Sequence, residues 1–255
     1  MAVLRQIELI ERFHLLMLSF LMRKMDKGNC ALKGGCNLRF FFKSSRYSED
    51  MDFDVRDITV HELRERVAGV LKSKPFLQAM AVHGMAIEHI TESKQTATTQ
   101  RWKLGLQGSG FKTVMPTKIE FSRRRFESEA VLENVDPMLV RAHGCAPLLV
   151  YHYPANIAWR QKVQALAGRS VTQARDVFDL NLLLQSGAIP TANTARNLDA
   201  ELLAQAEERC LVMKFEDFKG QVLAFLTPEL QKDYDDPAVW DRIVLNVAEA
   251  LRKTP

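Results

Sequence analysis

Residues 32–55, LKGGCNLRFFFKSSRYSEDMDFDV, join a pair of glycines to a segment of spaced aspartates. From Asp50 to Val55 acidic and apolar residues alternate, and this period of two predicts a β-strand with one acidic face and one apolar face. Asp50, Asp52 and Asp54 share the acidic face. Three like charges on one face repel one another, and a divalent cation or basic partners usually compensate them. The segment therefore predicts a strand that presents carboxylates to a ligand.

A glycine turn precedes this strand in the sequence. Residues 30–32 predict a short strand, Lys33, Gly34 and Gly35 form the turn, and residues 37–42 have the composition of a helix start. Glycine lets a ligand approach the backbone closely, and the free N–H groups at a helix N-terminus attract anions. A turn of this kind followed by Asp-x-Asp suits a triphosphate whose Mg²⁺ is held by the carboxylates. That arrangement is the chemistry of nucleotidyl transfer.

The same residues resemble a known family. KGGCNL at residues 33–38 and RYSEDMD at residues 46–52 resemble the first motif of the AbiEii/AbiGii-type toxin nucleotidyltransferases, a branch of the polymerase-beta-like superfamily. A second match lies downstream and in the same order as in the family. A later motif of that family is similar to Gln161-Lys162, Ala165-Leu166, Arg169 and RDVFDL at residues 175–180. The resemblance covers the chain from Arg5 to about Leu184.

The resemblance implies roles for residues of the first motif. Asp50 and Asp52 are expected to bind the metal, whereas Asp54, one step beyond the matched pair, is expected to be structural. Lys33, Gly34 and Gly35 are expected to contact the nucleotide phosphates, although a lysine at a strand end is often only solvated.

Two further residues near the acidic strand are candidates, each with an ordinary alternative. Ser48 lies two residues before Asp50, where its hydroxyl can contact a phosphate or stabilise a turn. Glu120 belongs to a later predicted strand, on the face opposite to Ile119 and Phe121. Superfamily enzymes often use a third acid on a neighbouring strand, so Glu120 is either this third catalytic carboxylate or an ordinary exposed strand residue.

The later motif supplies candidates on two predicted helices. Lys162 and Arg169 are two helical turns apart and project from one face, and Asp176 and Asp179 share a face of the next helix, where Arg175 is spaced to pair with Asp179. The resemblance implies that Lys162 neutralises triphosphate charge, Arg175 contacts the nucleotide, and Asp176 orients a base, a metal-bound water or a basic partner. The alternatives are a solvated face and structural ion pairs.

The distribution of elements predicts an α/β (α+β) fold with two lobes. Residues 4–24 have the apolar spacing of a long helix, and Thr59 followed by Glu62 has the form of a capping box at the start of another. Stretches rich in Ile, Thr and Val predict antiparallel strands at residues 85–90, 98–106 and 114–121. Five helical segments follow, at residues 155–167, 171–184, 199–209, 215–225 and 237–253.

We therefore expect an N-terminal nucleotidyltransferase lobe over residues 1–147, with a mixed or antiparallel sheet, and a C-terminal helical lobe over residues 148–255 that closes a cleft. The chain has 255 residues, is 47% hydrophobic and has a formal net charge of +4. This charge permits contact with nucleic acid without requiring it.

Composition and apolar patterning also indicate the cellular compartment. The four cysteines show no Cys-x-x-Cys pair or dense spacing, so neither a zinc site nor a disulfide framework is indicated, and a reducing cytoplasm fits. The apolar run at residues 15–22 is too short to cross a bilayer, and we expect a buried helix and no membrane association. No two of the six histidines have the sequence spacing typical of metal ligands, and we assign them no functional role.

The predicted activity is Mg²⁺- or Mn²⁺-dependent transfer of a nucleoside monophosphate from an NTP to an acceptor. The resemblance implies the toxin of a bacterial toxin–antitoxin or abortive-infection system, with an antitoxin encoded nearby and an RNA such as tRNA as acceptor. Two alternatives remain: an enzyme on the same scaffold that modifies a small-molecule or protein hydroxyl, and a non-catalytic binding module. The intact pair of Asp50 and Asp52 argues against the binding module.

Overall fold

The computed structural model describes residues 2–26, 28–188, 191, 195 and 198–255. The chain forms two compact units. Unit 1 comprises Met1–Phe41 and Tyr47–Tyr153, and unit 2 comprises Phe42–Arg46 and Pro154–Pro255.

Unit 1 consists of a mixed β-sheet and helices. Its strands are β1 (Cys30–Lys33), β2 (Asp50–Val55), β3 (Met85–Gln95), β4 (Thr99–Gly108), β5 (Met115–Ser122), β6 (Val131–Asn134) and β7 (Leu149–His152). Its helices are α1 (Ala2–Met22), α2 (Gly34–Phe41), α3 (Val60–Leu71), α4 (Lys74–Val82) and α5 (Pro137–Ala142).

The sheet has seven strands in the order β3-β4-β5-β2-β1-β7-β6. The β2–β5 and β1–β7 pairs are parallel, and the other neighbouring pairs are antiparallel. The acidic strand β2 therefore lies near the middle of the sheet, between the strand that leads into the glycines and the strand that contains Glu120. The predicted mixed α/β fold is confirmed.

One face of the sheet packs into the core because apolar residues alternate with polar ones along its strands. Met51 and Phe53 of β2, and Ile119 and Phe121 of β5, are fully buried on this face. The rings of Phe53 and Phe121 stack with centroids 4.9 Å apart. Removal of this apolar surface from water is the main favourable term in folding unit 1, and it leaves the acidic face of β2 on the opposite side.

Local capping determines where two helices of unit 1 begin. The predicted capping box of α3 is present: Glu62 donates its backbone N–H to the Thr59 side chain, and the Glu62 carboxylate accepts from the Thr59 N–H. Ser73 caps a second helix, α4, and Pro75 lies in its first turn, where a proline costs no hydrogen bond.

Three short elements have no counterpart among the sequence-based expectations. They are β6, α5 and β7, which span four to six residues each and lack a periodic pattern. Strand β7 pairs with β1 through Leu32 and His152. The expected division after residue 147 therefore falls inside unit 1, because the last strand of its sheet lies beyond that residue.

Helices are the regular secondary structure of unit 2 over its described residues. Its helices are α6 (Ala155–Gly168), α7 (Ala174–Gln185), α8 (Ala200–Leu211), α9 (Phe215–Gln221), α10 (Pro228–Tyr234) and α11 (Pro237–Arg252), with a 3₁₀ turn at Leu223–Phe225. Phe218 stacks on Trp240 with ring centroids 4.7 Å apart, which joins α9 to α11. Helix α10 was not expected. All four cysteines are free thiols. Across the described part of the chain, no helix has the length and apolarity needed to cross a membrane.

Candidate active site

The strand register brings the predicted carboxylates to one face of the sheet. On β5, Lys118 lies opposite Asp50 and Glu120 lies opposite Asp52, and on β1, Lys33 lies opposite Asp52. Directly opposed residues point to the same face of a sheet. Asp50, Asp52 and Glu120 therefore lie together on the face away from the core, within unit 1.

Basic side chains compensate part of this negative charge. The Lys118 ammonium lies 3.0 Å from Asp50 Oδ2 and 4.0 Å from Glu120 Oε2. Arg101 of β4 donates from Nε to Glu120 Oε2 at 2.6 Å. The acidic face is thus flanked by its own cations, and Glu120 is oriented by Arg101.

Asp52 differs from its neighbours because its carboxylate has no hydrogen bond or ion pair with any residue that the structure describes. Burial raises its pKa; Lys118 and Lys33 oppose this shift, and Asp50 adds to it. Its Oδ2 atom would lie 3.0 Å from a Cβ atom built on Gly34, whose φ is +69°. Only glycine supplies both this backbone conformation and the space for the carboxylate.

The structure changes one expectation about the glycines. Helix α2 begins at Gly34, so Gly34 and Gly35 are its first residues and not a turn ahead of a helix that starts at residue 37. The first N–H groups of a helix have no partner within the helix. Because Gly34 adjoins Asp52, these donors belong to the same part of unit 1 as the carboxylates.

Asp50 and Asp52 fit a divalent cation shared with a nucleotide. Mg²⁺ is usually held by one or two carboxylates, with substrate phosphates and water in the remaining positions. No group of three or more His, Cys, Asp or Glu side chains among the described residues is arranged to hold a metal ion. Two carboxylates on alternate residues of one strand, with Asp52 left without a partner among the described residues, match a site that the substrate completes.

Lys33 is bound to the third aspartate of the strand. Its ammonium forms an ion pair with Asp54 Oδ1, and Asp54 is 2% exposed. Tyr153 donates its hydroxyl to Asp54 Oδ2 at 3.1 Å, and burial raises the pKa of that phenol, so it remains a donor. Asp54 therefore anchors Lys33, and contact of Lys33 with a nucleotide stays a prediction.

Ser48 has the turn role that was one of its two predicted roles. Its hydroxyl donates to the Asp50 backbone carbonyl at 2.9 Å, and the Cys36 thiol donates to the same carbonyl at 3.1 Å. Both contacts hold the backbone at the start of β2. A phosphate contact by Ser48 stays a prediction.

A buried polar chain supports the start of β2 from the core side. Thr117 donates its hydroxyl to the Glu49 carbonyl at 2.7 Å, and His14 Nε2 lies 2.8 Å from the same hydroxyl oxygen. Since the Thr117 hydroxyl is already a donor, His14 donates from Nε2. No spacing in the sequence indicated this chain, because its residues come from α1 and β5, which are far apart in sequence.

His14 is expected to make folding stability depend on pH. Burial lowers its pKa from 6.5 to about 4, so the folded state keeps it neutral where the unfolded chain binds a proton. Stability should therefore fall as pH drops from about 6.5 to about 4, by roughly 1.4 kcal/mol per pH unit for this group.

Chemical denaturation at several pH values tests this expectation with two matched variants. His14→Gln should flatten the slope of unfolding free energy against pH, whereas His61→Gln, which replaces an exposed histidine, should retain the native slope. An unchanged slope in His14→Gln would show that His14 is protonated in the folded protein.

The candidates of the later motif form a buried ionic network in unit 2. Lys162 Nζ lies 2.9 Å from Asp176 Oδ1 and 2.6 Å from Asp179 Oδ2. Arg169 contacts Asp176 at 2.7 Å, and Arg46 contacts Asp179 at 3.1 Å. Both aspartates are fully buried, and Lys162 is 12% exposed. Burial raises the pKa of Asp176, but Lys162 and Arg169 outweigh this effect and lower it.

The network corrects one predicted pair. Asp179 is bound by Arg46 and Lys162 and not by Arg175, because α7 turns both Asp176 and Asp179 toward α6. Arg175 is half-buried and forms no ion pair within the described part of the chain. Arg46 belongs to the first motif but received no role from the sequence alone. The expected roles of Lys162, Arg175 and Asp176 toward a nucleotide stay predictions.

Comparisons with known proteins agree with this description. A family model described as "Nucleotidyl transferase AbiEii toxin, Type IV TA system" matches residues 16–251. The fold is similar to that of MenT4, nucleotidyltransferase toxin Rv2826c from Mycobacterium tuberculosis H37Rv, with a TM-score of 0.72, 18% identity, and coverage of 100% of this chain and 87% of that chain. It is also similar to JHP933 from Helicobacter pylori, with a TM-score of 0.57, 19% identity, and coverage of 95% and 92%. No curated protein matches the sequence.

Proposed function

The chain belongs to the AbiEii family of nucleotidyltransferase toxins of type IV toxin–antitoxin systems, and from this premise we propose its reaction. The protein transfers a nucleoside monophosphate from an NTP to a hydroxyl group of an RNA such as tRNA. In this proposal Asp50 and Asp52 hold the Mg²⁺ or Mn²⁺ ion. Family and fold make it an enzyme, so the binding-module alternative is set aside. A cognate antitoxin encoded nearby is the proposed protein partner.

The observation that carries the proposal is the environment of Asp52. Its carboxylate has no partner within the described residues, lies against the glycine that opens α2, and shares its face with Asp50. An acid whose pKa is raised by burial gains most from a cation placed beside it. The residues around Asp52 therefore supply the need for a metal ion, and Gly34 leaves the space that the Asp52 carboxylate occupies.

The residues of this face have distinct proposed tasks in the reaction. Asp50 and Asp52 hold the metal, and Lys118 lies beside them as a fixed cation for phosphate oxygens. Asp50 and Asp52 would hold the divalent cation, which would supply Lewis-acid stabilisation of the phosphate and leaving-group charge and would lower the pKa of the acceptor hydroxyl. The acceptor oxygen forms its bond to the α-phosphorus as the bond to pyrophosphate breaks. Glu120, oriented by Arg101 and opposite Asp52, is the carboxylate proposed to accept the hydroxyl proton.

Labelling with radioactive NTPs tests the proposal. Each α-labelled NTP is incubated with total bacterial RNA and, separately, with cell-extract protein, in Mg²⁺, in Mn²⁺ and in chelator. We expect label in RNA only, dependent on the metal, and absent with the Asp50→Asn/Asp52→Asn variant. Label in protein would establish the protein-modifying alternative, and labelling of RNA in chelator would contradict the metal role of the aspartates.

A further inference from the structure

From the sheet register we infer that the face of β3, β4 and β5 beside the carboxylates binds the phosphate backbone of the acceptor RNA strand. This inference rests on the proposed function and adds the surface that places the acceptor. We call this surface the basic sheet face and define it by Lys94 and Lys103, which lie beyond Arg101 and Lys118 in two rows of opposed residues.

Two rows of opposed residues run across the strands from the two metal-binding candidates. The first row starts at Asp50 and continues through Lys118 of β5 and Lys103 of β4 to Thr91 of β3. Because directly opposed residues share a face, every side chain in this row points to the side of the sheet that Asp50 occupies.

The second row runs parallel to the first. It starts at Asp52 and continues through Glu120 of β5 and Arg101 of β4 to Lys94 of β3. Neighbouring strands are about 4.8 Å apart, so Lys103 lies about 10 Å and Lys94 about 14 Å across the sheet from β2. The cations thus form a track that leads away from the carboxylates and does not surround them.

The charge of the basic sheet face is positive beyond the first strand. Lys118 and Arg101 are engaged by Asp50 and Glu120. Lys103, which is exposed, and Lys94, which is half-buried, have no ion pair with any described residue. An exposed cation without a protein partner gains from a phosphate, since condensed counterions leave the nucleic acid when it binds.

The composition of this face favours a nucleic-acid strand over a protein acceptor. The apolar residues of β4, such as Trp102 and Leu104, are buried on the opposite face. The two rows therefore consist of charged and hydroxyl side chains, without the apolar residues that form the core of protein interfaces, and the exposed Val114 lies outside them, beside Gly105. His89 is exposed and lies over Gly105, where a built Cβ would be 2.2 Å from His89 Cε1. A flat imidazole beside a row of lysines matches the pattern of single-strand binding, in which aromatic rings stack on bases.

The test compares three double variants with the native protein, in fluorescence anisotropy with a short labelled single-stranded RNA and in the labelling assay. Lys94→Ala/Lys103→Ala should weaken RNA binding about tenfold at low salt and reduce the slope of log affinity against log salt by about 1.4, from about 0.7 for each phosphate contact in a single strand. It should raise the KM for RNA and leave NTP binding unchanged. Lys94→Arg/Lys103→Arg should retain binding.

The control is Lys72→Ala/Lys232→Ala, which removes the same charge from exposed positions outside the sheet. It should bind RNA like the native protein. If the native protein labels RNA but Lys94→Ala/Lys103→Ala keeps the native KM and salt slope, or if the control loses as much affinity, the surface assignment is wrong and the proposed function stands. If the native protein neither binds nor labels RNA, the proposed acceptor is wrong and this inference fails with it.

Discussion

Asp52→Asn is expected to reduce nucleotidyl transfer by about 10³-fold or more while leaving the fold at least as stable as that of the native protein. A metal ion that stabilises charge in the transition state supplies several kcal/mol, and each 1.36 kcal/mol is a factor of ten in rate. Asparagine keeps the size of the side chain but removes the charge that would hold the cation.

The expected stability of the Asp52→Asn variant follows from the surroundings of Asp52. Burial raises its pKa, so the ionised carboxylate is less favourable in the folded protein than in the unfolded chain. Its carboxylate makes no ion pair in the described part of the chain that asparagine would break. A neutral side chain of the same shape should therefore be tolerated or preferred.

Asp57→Asn is the matched control, because Asp57 follows the same strand, is exposed and has the positive φ of 51° that asparagine accepts. Steady-state rates and thermal melts of both variants, with and without Mg²⁺, give the comparison. We expect native activity from Asp57→Asn and added metal to raise the melting temperature of the native protein but not of Asp52→Asn. Transfer by Asp52→Asn at the native rate would place the metal elsewhere.

Asp179→Ala is expected to lower the free energy of unfolding by about 3–5 kcal/mol, the usual cost of removing one partner from a buried ion pair. Asp179 is fully buried and contacts both Arg46 and Lys162. Its loss leaves two cations short of their counter-charge in a region from which water is largely excluded. The Lys162 ammonium would still contact Asp176, whereas Arg46 would lose its ion pair with Asp179.

Denaturant unfolding of Asp179→Ala and of Asp241→Ala measures this effect. Asp241 is exposed on α11, and its replacement should change stability by no more than about 0.5 kcal/mol. Equal stability of both variants would show that the ionic network of unit 2 contributes little to folding. The double variant Lys162→Met/Asp179→Leu, with both singles, gives the coupling between the two charges.

The same measurements separate structure from catalysis at Lys162. Its ammonium is already engaged by two buried carboxylates, so loss of activity in Lys162→Ala has meaning only where the variant is folded. Assayed well below its melting temperature, Lys162→Ala should lose roughly 10²-fold in transfer if the lysine also stabilises phosphate charge, as the resemblance implies. Native rates from the folded variant would assign Lys162 to the network alone.

Local patterns in the sequence determined much of unit 1. The alternation in β2 predicted which aspartates share a face, the alternation around Glu120 predicted its side of β5, and Thr59 with Glu62 predicted where α3 begins. These features depend on a period of two or on contacts within one helical turn. Patterns of so short a range can be recognised in the sequence itself.

Only the tertiary structure determined which charged residues are in contact. Lys118 reaches Asp50, Arg101 reaches Glu120, and Arg46 reaches Asp179 only because strands and helices far apart in sequence become neighbours. Strand β7 likewise has too few residues for a periodic pattern and exists because β1 offers it an edge. The pairing of charges depends on strand register and helix packing, which form when the apolar faces are buried together, and no local spacing encodes them.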